Sequence, residues 1–168
     1  MRATKSVSEY VHNKVADGLG KIGVLVALES TGDKAGLASL GRQLCLHIAA
    51  ANPAAITDKD LDPALIERER AVYTEQAKAS GKSAEIAAKM VEGRLRKEFY
   101  QQVVLLQQTF LGAGGDGKAT VEQVVKDAEK TAGSPIKVAQ FVRYALGEGI
   151  DKKEGDFAAE VAAAVGKR

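Results

Sequence analysis

An α+β fold is predicted for this chain: a small three-stranded antiparallel sheet packed on helices, interrupted by an inserted antiparallel helical (coiled-coil) hairpin and followed by a C-terminal helix. Three observations predict it. Apolar residues alternate, or run almost continuously, in two segments near the start of the chain and one near its end, which is strand patterning. Between them the apolar spacing changes to three and four residues, with aspartate, proline and glycine where helices start and stop. Because both ends of the chain supply strands, the long helical stretch in the middle reads as an insertion into one sheet-containing body.

Val7 to Asn13 alternates, and Asp17, Gly18 and Gly20 mark a turn before the β-rich run from Ile22 to Leu28. Two antiparallel strands are expected, the second more buried because it is apolar almost throughout. Gly23 predicts a bulge or a close approach by another backbone. Asp33 can cap a helix whose Leu37, Leu40, Leu44, Ile48 and Ala51 share a face, and Asn52-Pro53 should end it, since the residue before proline avoids helical geometry. Asp62-Pro63 is a second start signal, a capping carboxylate followed by proline at the first helical position. That helix should run to about Ser80, with Gly81 as a left-handed cap. Ser83 then caps a helix carrying Ala87, Val91, Leu95, Phe99 and Val103 at four-residue spacing.

A connection of about three residues makes these two helices antiparallel neighbours. In the first, Leu65, Val72 and Ala79 recur once per heptad among charged residues, with Ile66 and Tyr73 beside them. So narrow a stripe suits a projecting hairpin about 27 Å long. Further on, Thr120 and Gln123 form a capping-box pattern before Val121, Val124, Val125 and Ala128, and Gly133-Ser134-Pro135 ends that helix. Ile136 to Leu146 predicts the third strand, closed by Gly147 and Gly149. Asp156 caps a last helix in which Phe157, Val161 and Val165 share a face. The expected divisions are 1–61 and 111–149 for the two parts of the core, 62–110 for the hairpin, and 150–168 for a C-terminal helical module.

Composition narrows the function classes. With 45% hydrophobic and 27% charged residues the chain can bury a core, and no apolar run approaches the ~20 residues of a membrane span. The 24 Lys and Arg against 22 Asp and Glu leave a formal charge of +2, too small to hold nucleic acid by phosphate neutralisation. Aromatic residues make up only 5% and tryptophan is absent, so platforms for stacking bases are few. A single cysteine cannot form an internal disulfide and Met1 to Val7 carries no apolar signal stretch, so a cytoplasmic location is expected, with an organellar origin as the alternative. His12, His47 and one cysteine make no cluster of metal-ligand spacing, and neither metal nor cofactor is expected.

The short motifs are weak. Gly81-Lys82-Ser83 resembles the end of a phosphate-binding loop, but Gln76 stands where the earlier glycine is needed and a helix precedes it instead of a strand. Gly112, Gly114 and Gly117 satisfy a dinucleotide fingerprint, yet about 20 residues further on lies Lys137 rather than an acid for a ribose. Cys45, between Leu44 and Leu46, reads as a buried inert thiol. His47 lies at the edge of the same helix's apolar stripe and reads, on chemistry alone, as a satisfied, half-buried histidine. No nucleophile, base and acid stand in catalytic spacing, and no enzymatic activity is expected.

Seven strings nevertheless occur in the order found in bacterial elongation factor Ts: Lys21-Ile-Gly-Val-Leu-Val26, Leu46-His-Ile-Ala-Ala-Ala-Asn-Pro53, Ile66-Glu-Arg-Glu-Arg70, Lys89-Met-Val-Glu-Gly-Arg94, Phe141-Val-Arg-Tyr144, Gly147-Glu-Gly149 and Asp156-Phe-Ala-Ala-Glu-Val161. Over Val7 to Val165 the chain resembles the second half of that family's core, its coiled-coil hairpin and its C-terminal module. The resemblance implies a guanine-nucleotide exchange factor that binds elongation factor Tu, in its nucleotide-free or GDP form, and promotes GDP release without chemistry of its own. It further implies that Ile22, Gly23, His47 and Val138 face the partner, that Asp156, Phe157 and Glu160 approach the partner's nucleotide-binding domain, and that the hairpin is an arm for dimerisation or contact. A purely dimerising or scaffolding module is the alternative. The family's Thr-Asp-Phe-Val string, placed near the partner's magnesium and phosphate site, has no counterpart in this sequence, so the resemblance implies binding with weak exchange.

Overall fold

The computed structural model describes residues 4–112 and 117–149. The helix expected after Asp156, with Asp156, Phe157 and Glu160 themselves, lies outside them, as does the middle of the glycine-rich loop. Strands β1 (Thr4–Ala16), β2 (Leu19–Ser30) and β3 (Ile136–Ala145) form an antiparallel sheet in that order. Helix α1 (Lys34–Ala51) covers one face. Helices α2 (Pro63–Lys78), α3 (Ala84–Arg94) and the single turn α4 (Tyr100–Val103) follow, and α5 (Val121–Ala132) precedes β3.

The caps explain the helix limits. The Asp33 carboxylate accepts the Gly36 N–H at 2.8 Å, and Asn52 closes α1 with left-handed backbone, φ 47°. Asp62 accepts the Ala64 N–H ahead of Pro63, and Thr120 and Gln123 make the reciprocal bonds of a capping box. Ser83 departs from expectation: it occupies the cap position of α3 without a side-chain bond.

On the face under α1, Val24, Val26 and Leu28 of β2 meet Leu37, Leu40, Leu44 and Ile48, and α5 adds Val121 and Val125. Gly41 lets α1 come close to β1, since a Cβ there would collide with the side chain of Ser8. Register places Val7, Leu25 and Tyr144 on the opposite face, where all three are exposed. Neither the bulge nor the close backbone approach expected at Gly23 is found, since a Cβ there would meet nothing within 4 Å. Gly23 sits in an unbroken ladder between Val11 and Tyr144, and the register shifts fall instead between Lys14 and Ala16 and between Ala27 and Leu28.

The inserted hairpin has a core of its own, Leu61, Tyr73, Ala77, Val91, Leu95 and Phe99 with Ala55 and Val104. The expected stripe holds only in part: Leu65 and Ile66 pack half-buried against this core, but further along Tyr73 and Ala77 are buried, while Val72 and Ala79 are exposed. Tyr73 takes the seam because its ring has more apolar area to hide and its face carries the Arg94 guanidinium, 4.1 Å from the ring centroid. The helix after Ser83 is also not uniform. Leu95 to Phe99 widen into a π turn. Four-residue spacing drifts by about 40° per step around a regular helix, and one wide turn cancels that drift, so both Leu95 and Phe99 stay buried. At the base, the two legs meet through Ala54 N–H to Val103 O, 2.8 Å, and Leu105 N–H to Ala55 O, 2.8 Å. No helix among the described residues is long and apolar enough to cross a membrane.

Candidate functional site

Among the described residues, the surroundings of neither glycine motif are those of a nucleotide site. Gly81, φ 67°, forms the turn between α2 and α3, so a helix does precede it. The loop after Phe110 is closed at its base by an antiparallel bridge between Thr109 and Thr120 and follows a 3-10 turn, Leu105–Gln107, where a dinucleotide fold needs a strand. Among the described residues no three metal-ligating side chains converge.

Ile22 and Gly23 are neighbours on β2 and therefore face opposite sides of the sheet. Ile22 pairs with His12 and Ala145 on the α1 side; Gly23 pairs with Val11 and Tyr144 on the open side. Beside Ile22 lies a groove of about 340 Å³, walled by Tyr10 and His12 of β1 and by Leu46, Ala49 and Ala50 of the last turns of α1. The Tyr10 hydroxyl and His12 Nδ1 are 2.8 Å apart at its polar edge, and Leu46 is 41% exposed. Its floor is aliphatic, and its volume fits one or two apolar side chains of another protein. The larger cavity of about 550 Å³ is lined by Glu9, Lys14, Asp17 and Arg42 together with Tyr10, Val11 and Gly18, so charges of both signs surround its apolar part.

His47 stands on the same helix but points inward, 1% exposed. Its Nδ1 accepts the Leu111 N–H at 3.2 Å, which places the ring proton on Nε2, where it is donated to Gln108 Oε1 at 2.9 Å. Gln108 in turn donates to Gln102 O at 2.6 Å, and the Phe110 ring stacks on the imidazole with centroids 5.7 Å apart. Burial pushes the His47 pKa below its ordinary value, against the pull of the Gln108 bond. The neutral ring thus anchors the start of the 111–119 loop, leaving Leu111 61% exposed.

Val138 pairs with Leu28 in the core, 7% exposed and roughly 20 Å along the strand from Ile22. The fold therefore brings Ile22 to the end of α1, leaves Gly23 on the open face of the sheet, turns His47 inward, and sets Val138 apart. Sequence reasoning missed Tyr10, His12 and Leu46 as groove walls and Gln108 as the partner of His47. The first three depend on strand register, and Gln108 reaches His47 only across the whole hairpin.

Cys45 donates to Ser8 O at 3.4 Å, and burial raises its pKa to about 11. It offers no reactive thiolate.

The sequence family described as Elongation factor TS matches residues 1–148. The chain belongs to the elongation factor Ts family. It is 56% identical over 162 residues to the Elongation factor Ts of Mesorhizobium japonicum, which is 96% of this chain and 52% of that protein. With the Elongation factor Ts of Parvibaculum lavamentivorans it shares 58% over 159 residues, 95% of this chain and 50% of the relative. For that of Bartonella henselae the figures are 56% over 158 residues, 94% and 50%. The chain spans about half the length of these curated relatives. Four residues of the groove beside Ile22, namely Ile22, Leu46, Ala49 and Ala50, fall in two of the strings shared in order with that family, Lys21–Val26 and Leu46–Pro53.

Proposed function

We propose that this chain binds elongation factor Tu in the cytoplasm and acts as a guanine-nucleotide exchange factor with no catalytic chemistry of its own. Family membership carries the reading, and the groove at Ile22 supplies a surface suited to it. Exchange follows from linkage: a factor that binds the nucleotide-free GTPase more tightly than the GDP form must weaken GDP binding by the same factor. Ile22 and Gly23 contact the partner from the two sides of the sheet end. His47 contributes by holding Phe110 and Leu111 beside the end of α1, and Val138 by packing beneath the sheet. Asp156, Phe157 and Glu160 are the proposed contacts to the nucleotide-binding domain. Without a Thr-Asp-Phe-Val string, GDP release is expected to be weak relative to binding.

Binding of immobilised nucleotide-free elongation factor Tu to the chain and to Leu46→Asp tests this. A charge at the groove mouth should weaken binding at least about tenfold, with the melting temperature little changed because Leu46 is half exposed. Undiminished binding by Leu46→Asp overturns the groove as the contact.

A second reading is a homodimer joined through the hairpin, favoured by the exposure of Val72 at 48% and Ile86 at 50%. Light scattering of the chain and of Val72→Glu with Ile86→Glu decides it: a dimer that the substitutions dissociate supports the reading, and a monomer at all concentrations removes it.

A further inference from the structure

We infer that Arg143, held by Glu148, is a positioning residue for partner binding: it pins the last turn of α1 to the sheet and so sets the mouth of the groove beside Ile22. The inference rests on the reading of that groove as the contact with elongation factor Tu.

The C-terminal end of α1 needs an outside partner. A helix leaves its last carbonyls unbonded and carries partial negative charge there, and α1 has no basic residue in its last turn. Asn52 N–H satisfies Ile48 O at 3.0 Å. Ala49 O faces Arg143, whose Nε points to it at 3.5 Å from the far strand of the sheet. The same guanidinium donates through Nη1 to Glu148 Oε2 at 3.1 Å, and that oxygen also accepts the Ala145 N–H at 3.2 Å. One residue further, Leu146 N–H donates to Lys21 O at 2.8 Å. The end of α1 is thus tied to the end of β3 through the side chains of Arg143 and Glu148, and the end of β3 to the start of the Ile22 segment through a backbone bond.

Register shows what the tie controls. Tyr10, Val24 and Arg143 form one row across the α1 side of the sheet, and His12, Ile22 and Ala145 form the next. Tyr10, His12 and Ile22 wall the groove from below, while Ala49 and Ala50 wall it from above. Arg143 lies at the opposite edge of the row that starts with Tyr10 and holds Ala49 by its carbonyl. Loosening it lets the helix end move relative to Ile22. The side chain of Arg143 is only 13% exposed, so its pair with Glu148 is shielded more than a fully exposed one. The bonds leave from separate guanidinium nitrogens, a fork that a lysine ammonium cannot reproduce.

The test is a double-mutant cycle in the affinity of the full chain for nucleotide-free elongation factor Tu, with melting temperature followed in parallel. Arg143→Lys and Glu148→Gln should each weaken binding about five- to twentyfold, and Leu46→Ala about tenfold. Combining Arg143→Lys or Glu148→Gln with Leu46→Ala should weaken it by no more than about twofold beyond Leu46→Ala alone, because a displaced groove wall has already lost that contact. A residue that only stabilises the fold lowers the melting temperature and leaves affinity unchanged, and one that acts on the partner independently of the groove gives multiplicative losses. Multiplicative losses, or wild-type affinity in Arg143→Lys, overturn the inference while leaving the groove reading intact. No binding by the unsubstituted chain overturns both.

Discussion

Replacing His47 by alanine is expected to destabilise the chain by about 3 kcal/mol, and the figure follows from three losses. The imidazole is fully enclosed, so its removal leaves a void against the Phe110 ring worth about 1–2 kcal/mol. Gln108, 4% exposed, loses the donor to Oε1, and an orphaned buried acceptor costs about 1–3 kcal/mol. The Leu111 N–H, at the start of an exposed loop, can turn to water and adds little. Urea unfolding followed by circular dichroism reads the change by linear extrapolation. Gln108→Leu should also destabilise, but the double variant should be more stable than the sum of the two by about 1–2 kcal/mol, since no orphaned acceptor remains. The pH dependence has a fixed sign. A histidine whose folded pKa is depressed contributes stability in full at neutral pH and above, and loses it as pH falls below 6.5 towards the folded value. That acid-side slope should vanish in His47→Ala. A loss under about 1 kcal/mol, strict additivity with Gln108→Leu, or stability rising on acidification through the His47 range refutes the buried neutral tautomer.

Two glycines on helices should respond oppositely to alanine: Gly41→Ala drives a methyl into Ser8 and is expected to lower stability by about 1–3 kcal/mol, whereas Gly93→Ala meets open space and should raise it by up to about 1 kcal/mol. Equal signs in thermal melts contradict the close α1–β1 approach. Leu95→Ala empties a fully buried position in the hairpin and should cost about 2–5 kcal/mol, with amide exchange rising first in α2 and α3 while β2 stays protected. Cys45 should react with a disulfide reagent at pH 8 no faster than the chain unfolds, and rapid native-state labelling contradicts its burial.

The fold was largely legible because its local signals agree. Asp33, Asp62-Pro63, Thr120 with Gln123, and Gly133 state where helices begin and end, and each does so through a bond its own neighbours complete. Register was not legible. The extra residue at Val15 shifts β1 against β2 by one position, and a one-residue shift exchanges the two faces of a strand. The partnership of His12 with Ile22, and hence the groove, depends on that bulge. The hairpin seam was only partly legible for a related reason: heptad spacing marks Leu65, Val72 and Ala79, while Ile66, Tyr73 and Ala77 lie beside them, and the size of Tyr73 and its contact with Arg94 turn the seam towards the second set. His47 combined both limits. Helical spacing put it near the core, but its hydrogen-bond partners lie 61 and 64 residues away, across an insertion whose legs must meet before they coincide.

The most direct measurement is the affinity of this chain for elongation factor Tu with and without bound GDP, by titration calorimetry or fluorescence. The expected result is tighter binding to the nucleotide-free form, with the chain weakening GDP binding by the same factor that GDP weakens the chain's. Equal affinity for the two forms, or no binding to either, contradicts the exchange-factor reading.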